Sequence, residues 1–389
     1  MAARIGFDVT AALAQGGGIG RYTRELIHAL VAQDTQNTYR LFSAKPPAQP
    51  PVPDSLPTTP NVTHKPAPVA EHWLYRIWYR FRLPIPVQTV TGSIDLFHSP
   101  DFVLPPVSGN IPTLLTVHDL SFVFFPDTFP SRLVDYLNKV VPWSVNRASH
   151  VLADSVATQN DLQNVWGIPE DKITVLTSGV NERFQPVTDQ HSLNSMRDRY
   201  GLGETPFFLS VGTVQPRKNY QMLVRAFRPV ADQVPHNLVI AGGRGWLVDP
   251  LLEEIERQEL QERVRLIGFV DDADLPALYS AATALVFPSL YEGFGLPLLE
   301  AMACGTPVIS SDASCLPEVV MDSARNVPAG ILIDPADEAG WTSAMIEMAK
   351  DEGLGTELAV RGKERAAQYR WESTARNLLT VYQRLLAES

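Results

Sequence analysis

The sequence predicts an α/β protein built from two doubly wound Rossmann-like domains that face a central cleft. Three observations carry this expectation. The chain has 389 residues, more than one hydrophobic core usually serves. Short apolar runs alternate with stretches of helical periodicity along the chain, as in parallel sheets covered by helices on both faces. Several of the apolar runs end in glycine-rich or basic loops that open a helix, and ligands of such sheets bind at the carboxyl ends of the strands.

In chain order, residues 5–9 read as the first strand, followed by a glycine-rich loop, a helix over 21–32 and a strand over 38–42. The stretch 45–68 holds many of the chain's 32 prolines, which donate no backbone hydrogen bond, so it reads as a long surface loop. Helical spacing resumes over 71–83, with strands at 96–99 and 112–117. A helix over 130–147, a strand over 150–154, a helix over 155–166 and a strand over 173–176 close the first half. Residues 181–205 carry few strand signals and read as the linker, which sets domains at 1–185 and 186–370. The second half alternates strands at 207–212, 237–241, 264–267, 284–287 and 307–310 with helices at 220–234, 250–261, 275–281 and 298–304. A short strand at 330–333 and helices follow.

Composition narrows the function. Hydrophobic residues make up 45% and charged residues 19%, as in a soluble globular protein. The net charge of −11 argues against nucleic acid as a partner, though not against a site for one nucleotide. The 2 cysteines, Cys304 and Cys315, form no C-x-x-C pair, so neither zinc nor a disulfide framework is expected. Residues 1–9 are too brief for a signal-peptide apolar region, and no run approaches the roughly 20 residues of a membrane span. A cytoplasmic protein is expected.

The most informative stretch is Glu292-Gly293-Phe294-Gly295-Leu296-Pro297-Leu298-Leu299-Glu300. It follows a buried strand and enters a helix, with Pro297 suited to the first helical position. A helix start offers backbone N–H groups and a positive dipole end to an anion, and the glycines allow close approach. Carboxylates accept two hydrogen bonds well and so suit sugar diols. The segment reads as a cradle for a sugar, a phosphate and a second sugar. Arg217 and Lys218, between the strand ending at Gly212 and a helix, would give a phosphate charge-assisted bonds.

Five weaker features accompany these. Gln15-Gly16-Gly17-Gly18-Ile19-Gly20 precedes a helix without G-x-G-x-x-G spacing; it suits a phosphate or sugar, or is a flexible turn. His118, at a strand end beside Asp119, can donate to a sugar hydroxyl or be a satisfied structural histidine. Gly242-Gly243-Arg244-Gly245 lines a nucleotide pocket or makes a turn. Asp271-Asp272-Ala273-Asp274 contains D-x-D, a metal–diphosphate pattern, but directly precedes a helix, so capping is the preferred reading. In residues 71–82, Trp73, Leu74, Ile77, Trp78 and Phe81 follow helical spacing and are expected in the core. Arg76, Arg80 and Arg82 fall largely opposite, as a solvated face or a peripheral contact with the inner membrane surface.

Together these motifs resemble the GT4 family of glycosyltransferases, with the GT-B fold. The E-x7-E segment and the Ala301-Met302-Ala303-Cys304-Gly305-Thr306-Pro307-Val308-Ile309 run after it carry the resemblance. Gly17-Gly18-Ile19-Gly20, Thr116-Val117-His118-Asp119, Thr177-Ser178-Gly179-Val180, Pro216-Arg217-Lys218-Asn219 and Leu316-Pro317-Glu318-Val319 support it. The resemblance implies a retaining, metal-independent transferase with no cofactor, its nucleotide-sugar donor being a substrate. It implies that Glu292 holds the donor sugar with the N–H groups of Phe294, Gly295 and Leu296, and that Glu300 holds the ribose. Arg217 and Lys218 would neutralise the diphosphate, His118 would meet the sugar, and Gly17 and Gly18 would make room. Gly212, Thr213, Gly268 and Gly293 complete the implied donor set. Thr213 stands where many relatives carry arginine, which shifts diphosphate charge onto Arg217, Lys218 and the helix start. Residues 371–389 are expected to form a helix that crosses back to the first domain.

No carboxylate nucleophile stands out; Asp8 and Asp119 are candidates that can equally be structural. Front-face displacement is therefore the expected mechanism. The resemblance is greatest to bacterial mannosyl- and rhamnosyltransferases of surface polysaccharide assembly. It implies GDP-mannose as donor, with UDP-glucose or dTDP-rhamnose as the alternative, and a saccharide or lipid-linked saccharide as acceptor. The rival from another class is a non-catalytic sugar-nucleotide-binding protein.

Overall fold

The alternating apolar runs form two parallel sheets in the computed structural model, which describes residues 2–48, 56–322 and 324–388. The first sheet contains β1 (Arg4–Asp8), β2 (Thr38–Ser43), β3 (Val62–Pro66), β4 (Leu96–Ser99), β5 (Thr113–Val117), β6 (His150–Ala153) and β7 (Ile173–Val175). Their order is β3-β2-β1-β4-β5-β6-β7, with every neighbouring pair parallel. β4, β5 and β6 are buried along their whole length, as strands covered on both faces must be. The order turns between β1 and β4, so the carboxyl ends of these strands form the crevice where such sheets bind ligands.

The core of this unit joins Ile5 and Phe7 of β1 to Leu26 and Ile27 of the helix Gly18–Gln33. The last helix, Trp371–Ala387, inserts Trp371, Leu378 and Tyr382 into the same core. His98 locks it there: one ring nitrogen lies 2.8 Å from the Tyr382 hydroxyl and the other 3.2 Å from Thr116 Oγ1. Burial, with His118 adding to it, lowers the His98 pKa to about 3, so this imidazole is neutral.

The second sheet contains β8 (Phe207–Val211), β9 (Asn237–Ala241), β10 (Val264–Gly268), β11 (Ala284–Phe287) and β12 (Val308–Ser311). A short antiparallel pair, β13 (Met321–Asp322) and β14 (Val327–Pro328), precedes its last strand, β15 (Ile331–Ile333). The order is β10-β9-β8-β11-β12-β15, again parallel. Phe227, Leu238, Val286, Trp341 and Met345 centre its core. The loops after β8 and β9 touch through their main chains: a Cβ on Gly242 would lie 2.0 Å from the Gly212 carbonyl oxygen.

Contacts divide the chain into Met1–Leu120, Arg132–Gly179 and Arg370–Ser389 on one side and Ser121–Ser131 with Val180–Tyr369 on the other. The changeovers fall at 179/180 and 369/370, where the strand-poor linker suggested 185/186 and the family resemblance 370/371. Segment Ser121–Ser131 joins the second unit through aromatic contacts that local spacing does not encode. Phe124 and Phe125 lie 5.6 and 5.9 Å from Tyr291, and Phe129 lies 5.6 Å from Trp246. The Trp246 indole N–H donates to the Thr128 carbonyl at 2.6 Å.

Three other expectations need correction. The stretch 45–68 is not all loop: Val62–Pro66 is a strand at the sheet edge, where proline costs no central ladder bond. Residues 49–55 of that stretch lie outside the described residues. The expected linker contains a helix, Gln190–Arg199, capped by the Asp189 side chain and packed on the helix Leu275–Ala281. Residues 71–83 form a five-residue α-helix, Glu71–Tyr75, and then a π-helical turn, Arg76–Arg80. The wider turn shifts the inward stripe. Leu74 and Trp78 are buried, but Trp73 and Phe81 are 49% and 63% exposed instead of lying in the core. Tyr75 and Tyr79 pack instead, against Tyr136 and Trp143.

Candidate active site

β11 delivers the chain to a buried loop, Glu292 to Gly295, that opens the helix Leu296–Ala303. Gly295 caps that helix at φ 114°, a conformation that a side chain would strain. The loop is clamped from outside the motif. Ser314 Oγ accepts the Glu292 N–H at 2.9 Å, and the Cys315 thiol lies 3.1 Å from the carbonyl oxygens of Glu292 and Phe294. On the helix, Glu300 is buried and its Oε2 accepts the Tyr279 hydroxyl at 2.8 Å. Gly293 and Phe294 are buried, and Leu296 is half-buried.

After β8, the turn Pro216–Lys218 carries both cations into the same place. Arg217 Nη1 lies 2.8 Å from Glu292 Oε2, and Lys218 Nζ lies 2.5 Å from Oε1. Arg217 also donates to the Tyr291 carbonyl, and the Lys218 ammonium sits 4.8 Å from the centre of the Phe287 ring. All three residues are buried. Burial alone would raise the Glu292 pKa, but Arg217 and then Lys218 outweigh it and hold the pKa at about 2. Gly212 leaves room for this lysine: a Cβ there would lie 3.0 Å from Lys218 Cε. Thr213 beside it is exposed. Gly268, at φ 74°, ends β10, and Phe269 after it is 53% exposed.

The D-x-D segment is engaged in ion pairs instead of the expected cap at Asp274. Asp274 precedes the helix Leu275–Ala281 but makes no side-chain cap. It pairs with Arg199 at 2.7 Å and accepts the Tyr200 hydroxyl at 2.9 Å, while Asp272 pairs with Arg183 at 3.3 Å. These partners come from the helix that spacing missed, from the residue after it and from the chain leading to it. Among the described residues, no group of three or more His, Cys, Asp or Glu is placed to hold a metal ion.

In the first unit, His118 directly follows β5 and Asp154 directly follows β6, on neighbouring strands. His118 Nδ1 lies 2.7 Å from Asp154 Oδ2, and Nε2 lies 3.1 Å from the Pro100 carbonyl. Burial would lower the His118 pKa, but Asp154, Asp101 and the Pro100 carbonyl together raise it to about 9. Burial pushes Asp154 up, against the pull of His118. The ring is therefore an imidazolium that donates from both nitrogens to the protein. Tyr22, from the helix Gly18–Gln33, packs edge-on against it at 4.9 Å. That helix begins at the glycine loop, where a Cβ on Gly17 or Gly18 would meet nothing within 4 Å. Arg24 fixes the loop by donating to the carbonyls of Ala12, Gln15 and Gly16. Asp8 ends β1 and accepts the Thr10 N–H at 2.8 Å; burial pushes its pKa up to about 7. Asp119 is half-buried next to His118.

Gly212, Arg217, Lys218 and Glu292 thus converge, with Glu300 on the following helix of the same unit, while His118, Gly17 and Gly18 belong to the other. Asp154, Tyr279, Ser314, Cys315 and Arg24 escape sequence reasoning because each acts through a contact between separate elements.

The family described as Glycosyl transferases group 1 matches residues 194–369, and Glycosyltransferase Family 4 matches residues 16–184. O-antigen chain mannosyltransferase B of Escherichia coli is 30% identical over 382 residues, covering 95% of this chain and 96% of the relative. Among solved structures, sucrose-phosphate synthase from Thermosynechococcus elongatus is similar over 100% of both chains, with a TM-score of 0.76 at 23% identity. Anabaena HepE in complex with UDP and glucose is similar over 98% of this chain and 99% of its own, with a TM-score of 0.71 at 18% identity. Two Rossmann-like units, the E-x7-E loop on its cation pair and these matches place the chain in the GT4 family of GT-B glycosyltransferases, and it is a glycosyltransferase.

Proposed function

We propose that this enzyme transfers mannose from GDP-mannose, with retention, to a saccharide or lipid-linked saccharide during surface polysaccharide assembly. The observation that carries the reading is the convergence of Arg217, Lys218 and Glu292 at the start of the helix Leu296–Ala303. Two buried cations and a helix N-terminus suit a diphosphate, and carboxylates on either side suit sugar hydroxyls. The mannose assignment rests on the name of the E. coli relative. In the reaction, the bond from the sugar C1 to the diphosphate oxygen breaks as the acceptor oxygen attacks on the same face. The acceptor's proton passes to the leaving diphosphate, whose charge Arg217, Lys218 and the helix start stabilise.

The test incubates the enzyme with GDP-mannose, UDP-glucose or dTDP-rhamnose and candidate acceptors, and measures nucleoside diphosphate release. Release of GDP alone, with a glycosylated product, is expected. Release of UDP or dTDP instead would replace the donor, and no product with any donor would favour a binding protein.

A peripheral membrane contact for a lipid-linked acceptor is part of the proposal. Among the described residues, no helix is long and apolar enough to cross a membrane. Four of the nine large apolar side chains exposed in those residues, Trp73, Phe81, Leu83 and Ile85, cluster within thirteen positions around Arg76, Arg80 and Arg82. In a chain of net charge −11, this apolar and basic patch suits an anionic lipid surface. Each arginine is worth about 1 kcal/mol at such a surface, so the triple change of Arg76, Arg80 and Arg82 to Glu should weaken binding to anionic vesicles by at least about 100-fold. Unchanged vesicle sedimentation by that variant would remove the membrane contact.

A further inference from the structure

The assignment of Arg217 and Lys218 to the diphosphate, and of Glu292 to the sugar, meets a conflict in the geometry. The two oxygens of the one Glu292 carboxylate are each within 2.8 Å of one of these cations. A diphosphate that binds Arg217 and Lys218 must compete with this carboxylate for the same N–H donors. A sugar hydroxyl that binds Glu292 competes with the cations for the same lone pairs. The three side chains are buried, so their charges are weakly screened and must be matched in every state. The main chain of Glu292 is held by Ser314 and Cys315, so the carboxylate stays within reach of both partners.

We propose that Glu292 is an internal counter-anion that the donor's diphosphate displaces from Arg217 and Lys218, and that its return favours release of the nucleoside diphosphate product. This rests on the donor-site reading above. With the intact donor, the displaced carboxylate finds the sugar hydroxyls, so the cost of breaking its ion pairs is offset. After transfer the sugar has left. The carboxylate then has only the cations to bind, and it competes with the remaining diphosphate. The site thereby discriminates between nucleotide sugar and spent nucleotide, which share every phosphate contact.

The experiment measures binding of GDP, UDP and dTDP by calorimetry to the full chain and to Glu292→Gln. The neutral amide keeps the shape of the side chain and removes the competing charge. Glu292→Gln should bind the nucleoside diphosphate about tenfold more tightly than the parent, roughly the loss of one charge-assisted hydrogen bond from the competing state. Its sugar transfer should fall at the same time, a split that simple damage to the site would not produce. Equal or weaker nucleoside diphosphate binding by the variant, with the parent binding measurably, overturns the counter-anion role alone. No binding of any nucleoside diphosphate by either protein overturns the donor site itself. Should Glu292→Gln fail to fold, Glu292→Asp, whose shorter arm cannot span both cations, should show a smaller gain, and none would overturn the proposal.

Discussion

Lys218→Ala is expected to leave a folded protein whose transfer rate has fallen by at least about 100-fold, the cost of removing one preorganised donor from developing charge. The ammonium lies 2.5 Å from Glu292 and 4.8 Å from the Phe287 ring centre, so it is aimed by its surroundings before any substrate arrives. The fold should survive because Arg217 remains to match Glu292. Initial rates under saturating donor, with circular dichroism as the control for folding, check this. Transfer within a few-fold of the parent would show that the leaving group does not depend on this lysine.

The second large effect concerns pH. His118 has a pKa of about 9 in the folded chain, against an ordinary value near 6.5. A group whose pKa rises on folding stabilises the fold fully below its unfolded pKa and loses that contribution as pH climbs through the folded one. The parent should therefore lose stability between about pH 6.5 and pH 9, by on the order of 3 kcal/mol at most from this residue, read as a falling melting temperature. In Asp154→Asn the main opposing charge is gone, and burial drives the imidazole toward the neutral form. The slope over that window should flatten, and the variant should be less stable than the parent at pH 6. Parallel melting curves for the two proteins across the window would mean that the pair is not ionised.

Much of the architecture was legible because a parallel sheet writes itself locally: β5, β6 and β11 are short apolar runs, each followed by turn residues. The E-x7-E loop was legible for the same reason, since strand, glycines, proline and helix lie within one stretch of chain. Contacts made across elements were not. Asp154 stands 36 positions from His118 and meets it only because β5 and β6 are neighbours. The pairing of Glu292 with both cations spans 74 positions to Lys218. Periodicity failed over residues 71–83 because it presumes 3.6 residues per turn, and the turn at Arg76–Arg80 is wider. It failed at Asp274 because an aspartate before a helix has two uses, and Arg199 claims this one.

The helix Trp371–Ala387 has a consequence for how the chain is made. Its Trp371, Leu378 and Tyr382 belong to the same core as β1, yet they are synthesised after all of Val180–Tyr369. Domains ordinarily fold as they emerge, the N-terminal one first. Here the first unit leaves the ribosome with one wall missing, and His98 waits for a hydroxyl 284 residues away. The second unit can close its own core in the meantime. The part of the enzyme that begins first is thus the last to be finished, and for most of translation its uncovered apolar face is what a chaperone would meet.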